Sequence, residues 1–304
     1  MSFLSQNIMA PLKRLKKKKK NLNRFKVDLH VHTKFSEDST KLPFINISFN
    51  PLGNPEELYQ TCFKKGLNAV TFTDHDTIDG CKYFLDKNPE TFNKTFFLGV
   101  ELLTQVKDFP KLNLEFNIFR FTEEQFKEFF KLKSDAFELI EYLNKNNIPF
   151  QFNHPYWYLY YYKKYNNIIK SVAKRVPVIE IINGHRSKMS NRLAKRLAYK
   201  FNKGKSGGSD THAYNTGMAY TAAKANNLDE FFTKFKDGKT YADGKSRIDR
   251  KFVEESASIY NKKWQSIVAN SKSSTFKSIF YTILKFPTKL LFKGIIKSYT
   301  RLGN

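Results

Sequence analysis

From Val27 onward, short apolar, β-branched or aromatic runs alternate with longer stretches of helical period. That alternation predicts βα units and a mainly parallel sheet. The strand candidates are residues 27–32 (VDLHVH), 69–75 (AVTFTDH), 96–103 (FFLGVELL), 113–121 (NLEFNIFRF), 149–155 (PFQFNHP), 178–184 (VIEIING) and the shorter 206–212 (SGGSDTH). Between them, Asn54 caps a predicted helix over 55–65 with Pro55 at its first position and Gly66 at its end. Thr122 and Gln125 form a capping box that opens one long helix to about Asn146, with Phe126, Phe129, Phe130 and Leu132 at helical spacing. Residues 189–202 give another helix, closed by Gly204. Seven strands, most followed by a helix, predict an α/β fold, a βα-barrel or a closely related sheet, and in such barrels functional side chains gather at the C-terminal strand ends.

The metal-competent residues obey that rule. The first strand ends in His30 and His32, which share a face because side chains alternate along a strand. Asp74, His75 and Asp76 end the second, Glu101 lies on the third, Glu115 on the fourth and His154 at the end of the fifth. The sixth runs into Asn183, His185 and Arg186, and the seventh ends in Asp210 and His212. All six histidines fall between residues 27 and 244. A donor set rich in both imidazole and carboxylate suits Zn²⁺, Mn²⁺ or Fe²⁺. So many donors exceed one tetrahedral ion, which predicts two or three divalent ions sharing bridging carboxylates. Ions so placed activate a water as hydroxide for attack on phosphorus.

The formal charge of +25 lies mostly at the ends. Residues 1–26 carry nine Lys or Arg and no acids, and residues 245–304 carry a net +10, which leaves +6 for residues 27–244. The chain therefore divides into a basic flexible tail (1–26), a catalytic core (27–245) and a basic C-terminal extension (246–304). Within the extension Phe276, Ile279, Phe280, Ile283 and Leu284 recur at the spacing of an amphipathic helix flanked by lysines. The basic ends suit an anionic membrane surface; nucleic acid is admitted by charge alone, since no recognition module accompanies it. Cys62 and Cys81 offer no disulfide framework, and no apolar run is long enough to span a bilayer. The opening segment has its charges after the apolar piece, unlike an export signal. The expectation is a cytoplasmic protein, peripheral on the inner face of the membrane.

In order, DLHVHTKFSED, TFTDHDTIDG, GVELL, FNHP and GGSDTHA resemble the successive motifs of the polymerase and histidinol phosphatase (PHP) superfamily. The resemblance spans about residues 27–245 and implies a distorted seven-stranded barrel with a trinuclear metal site, in most members a phosphoesterase. It implies metal ligation by His30, His32, His75, His154, Asp210 and His212, with Glu101 as a bridging ligand. Asp74 and Asp76, assigned to the catalytic apparatus, would orient His75 or nearby waters. Two positions depart from the common pattern. Glu37, next to Asp38, stands where relatives carry a single Asp, and Glu115 stands where many carry a His. Both are taken as ligands, and the carboxylate at 115 would favour Mn²⁺ or Fe²⁺ over Zn²⁺. Arg186, with His185, is the candidate contact for substrate phosphate, because a guanidinium binds phosphate oxygens in pairs. The tyrosine-rich run 156–162 is read as packing on the barrel rim.

These readings lead to a phosphoesterase acting on a small phosphomonoester or nucleotide. The alternatives are a nuclease acting on single strands, or a non-catalytic, metal-stabilised scaffold at the membrane.

Overall fold

The computed structural model describes residues 24–36, 51, 53–157, 159–212 and 215–246. Residues 1–23 of the basic tail, nearly all of the C-terminal extension, Glu37 and Asp38 lie outside the described residues, whereas Phe25 and Lys26, expected in the tail, already belong to the first strand.

Nine strands form two mixed sheets among the described residues. The first has the order β2-β1-β8-β9, from β1 (Phe25–Asp28), β2 (Ala69–Val70), β8 (Ala219–Ala223) and β9 (Tyr241–Gly244). The second runs β3-β4-β5-β6-β7, from β3 (Gly99–Val106), β4 (Phe109–Phe119), β5 (Phe150–Phe152), β6 (Val178–Asn183) and β7 (Gly204–Gly208). The expected strands are all present in shortened or shifted form, but β8 and β9 are additional and the sheets are not mainly parallel. β4 is antiparallel to both β3 and β5, and β8 to both β1 and β9. The β3–β4 reversal has a local cause: only Lys107 and Asp108 separate the strands, and a two-residue link permits only a hairpin.

Continuous pairing does not close the two sheets into one barrel. They meet instead at isolated bridges, Val31 with Thr211 at one seam, and Val70 with Phe96 and His75 with Glu101 at the other. Backbone bonds reinforce both seams, among them Asp210 N–H to the His30 carbonyl at 2.7 Å and Asp76 N–H to the Glu101 carbonyl at 2.9 Å.

The helices are α1 (Pro55–Lys64), α2 (Asp79–Lys87), α3 (Glu123–Leu132), α4 (Ala136–Lys145), α5 (Leu159–Lys164), α6 (Asn166–Arg175), α7 (Lys188–Lys200) and α8 (Leu228–Lys236). Asn54 caps α1 as expected, with Pro55 in the first turn. The single long helix after Thr122 is in fact two. The capping box opens α3, but Asp135 accepts from Phe137 N–H and starts α4 as a new helix, so a second cap interrupts the run. Past α7 the chain turns at Asn202, which takes a positive φ of 48°, while Gly204 already belongs to β7.

Two apolar clusters hold this frame. The larger lies under the second sheet, with Phe72, Phe84 and Phe96 in edge contacts on one side and Phe116 stacked on Phe152. In the smaller, Phe231, Phe232 and Phe235 of α8 pack with Val27, Leu29, Phe97 and Phe119. Because Phe97 and Phe119 come from the second-sheet side and Val27 from the first, α8 ties the two sheets together beneath the mouth. Burying each such ring contributes roughly 1.5–3 kcal/mol.

Candidate metal centre

Six of the nine strands, β1 to β5 and β7, deliver donors to one largely buried cluster, either from the strand or from just past its end. Glu101 sits at its middle and is 1% exposed. Its Oε2 lies 3.1 Å from both His30 Nε2 and His32 Nε2 and 3.5 Å from His75 Nδ1. Its Oε1 lies 3.5 Å from His154 Nε2. Glu115 Oε2 approaches the same His154 nitrogen at 3.4 Å, so the fourth-strand carboxylate joins the cluster. Asp210 Oδ1 lies 3.4 Å from His30 Nε2 and 3.3 Å from His32 Nε2. His212 and His75 flank His32, with ring centroids 4.4 Å and 4.6 Å away.

These residues fit divalent metal. Four overlapping groups of three donors each fall within coordinating reach: His32, His75 and His212; His30, His32 and Glu101; His30, His154 and Asp210; Glu101, Glu115 and His154. The Nε2 atoms of His32 and His154 are buried, yet neither makes a hydrogen bond of acceptable geometry. Buried nitrogens aimed at carboxylate oxygens without bonding them are what a chelating set leaves when described without its ion.

Electrostatics point the same way. Burial pushes the Glu101 carboxyl up, but the His30 and His75 imidazoles outweigh this and hold it well below the usual range. Burial likewise opposes ionisation of Asp210, and Arg186 with His30 overcomes it. Glu115 moves the other way: burial and the negative charge of Glu101 raise it. The cluster therefore concentrates carboxylates that further positive charge would stabilise.

The supporting residues are clearest where the backbone is polar and buried. Asp74 points away from the cluster and accepts from the Thr33 N–H at 2.6 Å and the Thr33 hydroxyl at 2.7 Å. It therefore fastens the chain after His32 to the chain before His75. Asp76, at a φ of 55°, accepts from Leu103 N–H and pairs with Lys133 at 2.8 Å. Neither carboxylate reaches the donor cluster.

Arg186 binds Asp210 Oδ2 at 3.0 Å, and its guanidinium lies over the Trp157 ring at 4.8 Å. His185 is buried beside His212, and burial above all depresses it to about 3, so the ring is neutral. Tyr156 of the tyrosine run is buried, and its hydroxyl donates to Asn166.

Several supporting residues are absent from the sequence reading. Asn153 donates to Glu101 Oε1 at 2.7 Å and to Asn117 Oδ1, and Asn117 donates in turn to the Leu29 carbonyl. Asp28 accepts from Ser209 and from Gly217 N–H. Glu180 Oε1 lies 2.9 Å from His30 Nδ1. A lone acid inside the apolar run VIEII was the available signal, since a charge buried in a strand needs a partner. Gly208 is required by close approach: a Cβ there would lie 2.3 Å from that of His30.

Residues 188–240, which include Asp210 and His212, match the PHP_C family profile, described as PHP-associated. This match bears out the superfamily resemblance carried by the five motifs. No curated protein matches the chain. Among solved structures, PsfC from Pseudomonas syringae PB-5123 superposes with a TM-score of 0.52 at 14% identity, over 79% of this chain and 99% of that one. That likeness shows a shared fold. A Bifidobacterium adolescentis protein, provisionally named a metal-dependent phosphoesterase, gives a TM-score of 0.44 at 14% identity, over 63% of this chain and 89% of that one. An amidohydrolase from Chromobacterium violaceum, solved with sulfate and no metal, gives 0.43 at 11% identity, over 71% and 97%.

Proposed function

We propose that this chain is a metal-dependent hydrolase of the PHP type, acting as a phosphoesterase on a small phosphomonoester or nucleotide. On this reading β1 to β7 and the seams between them make up the distorted seven-stranded barrel of the superfamily, with β8 and β9 added to it. The observation that carries it is Glu101, whose two oxygens face different histidines, as a carboxylate shared between ions would. His30, His32, His75, Glu101, Glu115, His154, Asp210 and His212 would hold two or three divalent ions, with Glu37 added from the segment after His32. Bound there, such ions supply Lewis acidity toward phosphate oxygens and lower the pKa of water.

The chain's own groups do the rest. Asn153 fixes Glu101, Thr33 and Asp74 hold the loops bearing His32 and His75, and Arg186 turns Asp210 so that Oδ1 faces the histidines. Arg186 retains some exposure and sits where it can meet an anionic group entering the mouth. Neutral His185 adds hydrogen-bonding capacity without charge.

The test uses full-length protein stripped by chelator and reloaded with Mn²⁺, Zn²⁺ or Fe²⁺. It is assayed on p-nitrophenyl phosphate, its bis-ester, mononucleotides and a single-stranded oligonucleotide. Hydrolysis that depends on metal and favours monoester or mononucleotide is expected. Preference for the oligonucleotide would move the assignment to a nuclease, and reloaded protein inert on every substrate would overturn the enzyme reading.

A further inference from the structure

We propose that Glu180 is a positioning residue that sets the tautomer of His30, and so decides which nitrogen of that ring can hold a metal ion. This rests on the ligand assignment proposed for His30. Glu180 is fully buried in β6 between apolar neighbours. Its Oε1 meets His30 Nδ1 at 2.9 Å, while Oε2 accepts from His154 N–H at 3.1 Å and from Asn183 Nδ2 at 2.9 Å. An ionised carboxylate only accepts, so Nδ1 of His30 carries a proton. Nε2, which faces the carboxylates of Glu101 at 3.1 Å and Asp210 at 3.4 Å, is then the nitrogen left to a metal ion, which would displace any proton held there. With Nδ1 free instead, the ring would present its open nitrogen to β6 and a proton to the cluster.

The same carboxylate joins the ends of three strands, because its partners follow β1, follow β5 and close β6. Its two oxygens have different duties, and this makes Glu180→Gln informative. The amide oxygen would take the Oε2 place, where two buried donors converge. The amide nitrogen then falls at the Oε1 place and donates to His30 Nδ1, which drives the ring proton to Nε2. The opposite orientation sets an NH₂ group against two donors. E180Q thus preserves volume and most hydrogen bonds but reverses the tautomer.

The experiment compares full-length wild type and E180Q, with Zn²⁺ as the diamagnetic probe. Long-range ¹H–¹⁵N spectra, with His30 signals identified by their loss in His30→Gln, report the tautomer, and calorimetric titration reports zinc affinity and stoichiometry. Expected are a protonated Nδ1 in wild type with or without zinc, an Nε2–H ring in metal-free E180Q, and zinc binding about 10–100-fold weaker in E180Q. An unprotonated Nδ1 in wild type would overturn the proposal, as would E180Q that keeps the Nδ1–H ring and wild-type zinc affinity. Should E180Q not fold, the wild-type tautomer decides alone. Wild type that binds no zinc, manganese or iron, yet shows Nδ1–H at His30, would sink the metal assignment and leave the role of Glu180 in the hydrogen-bond network standing.

Discussion

Asp74 offers a sharp energetic test, because one side chain joins the two strand ends that carry His32 and His75. Both its oxygens are used by Thr33, at 2.6 Å to the N–H and 2.7 Å to the hydroxyl, and both residues are buried. Asp74→Ala strands two donors away from water. A buried donor left unmet costs roughly 1–3 kcal/mol. The hydroxyl can rotate and recover part of its share, whereas the fixed N–H cannot, which places the net loss at about 3 kcal/mol. Asp74→Asn keeps a carbonyl oxygen for the N–H and offers an NH₂ group to the threonine oxygen, so its cost is about 1 kcal/mol. At 2–4 °C per kcal/mol for a domain of this size, the melting temperature should fall by about 9 °C for D74A and about 3 °C for D74N. Thermal denaturation followed by circular dichroism at pH 7.5, with chelator present, measures both. Combining D74A with Thr33→Val should cost less than the separate losses added, since the two share one bond. Equal damage from D74N and D74A, or D74A melting with wild type, would refute the reasoning.

Two further outcomes follow from packing and burial. Gly208→Ala must push β7 away from His30, since the new methyl would stand 2.3 Å from the His30 Cβ and 3.0 Å from Glu180 Oε1. It should lower stability by about 2 kcal/mol or more, read from denaturant unfolding, and reduce zinc stoichiometry. Cys81 is buried, and burial raises its thiol to about 12, so native protein should resist alkylation of this residue at pH 8 while denatured protein does not. The unfolded state gives up that proton first, at the ordinary value of 9.0, so the stability from the protonated thiol is complete below pH 9 and declines toward pH 12. The decline is about 4 kcal/mol, and Cys81→Ala should remove this slope from the pH profile of unfolding.

What the sequence disclosed here was the chemistry, more than the connectivity. Paired histidines at one strand end, and an acid or histidine closing each successive apolar run, are local patterns with a direct physical meaning. They placed His30, His32, His75, Glu101, Glu115, His154, Asp210 and His212 in one cluster, as the structure finds them. Strand direction is not local. A two-residue link at Lys107 and Asp108 forces the β3–β4 hairpin, but an expectation of βα repeats hid it behind shortened strand boundaries. β8 and β9 are small and partly polar (AYTAA and YADG), and gain their place by pairing with β1 and each other rather than by apolar content. Ser134 and Asp135 interrupt an otherwise helical run, and the capping strength of Asp135 outweighed the continuing period. Glu180 and Asn153 were missed for a related reason: their value lies in partners more than 25 residues distant, 150 away for His30 and 52 for Glu101.

The seams between the sheets have a mechanical consequence. His30, His32 and His75 follow strands of the first sheet, whereas Glu101 and Glu115 lie on strands of the second and His154 and Asp210 follow them. Across the seams the proposed ligands face one another from the two sheets, while α8 packs against residues of both. An ion held by donors from both sheets would resist their separation at the seams, so its binding free energy would add to the free energy of opening them. Hydrogen exchange should register this as slowing confined to the seam amides of His32, Glu101 and Asp210 on metal loading, with the β3–β4 ladder unchanged.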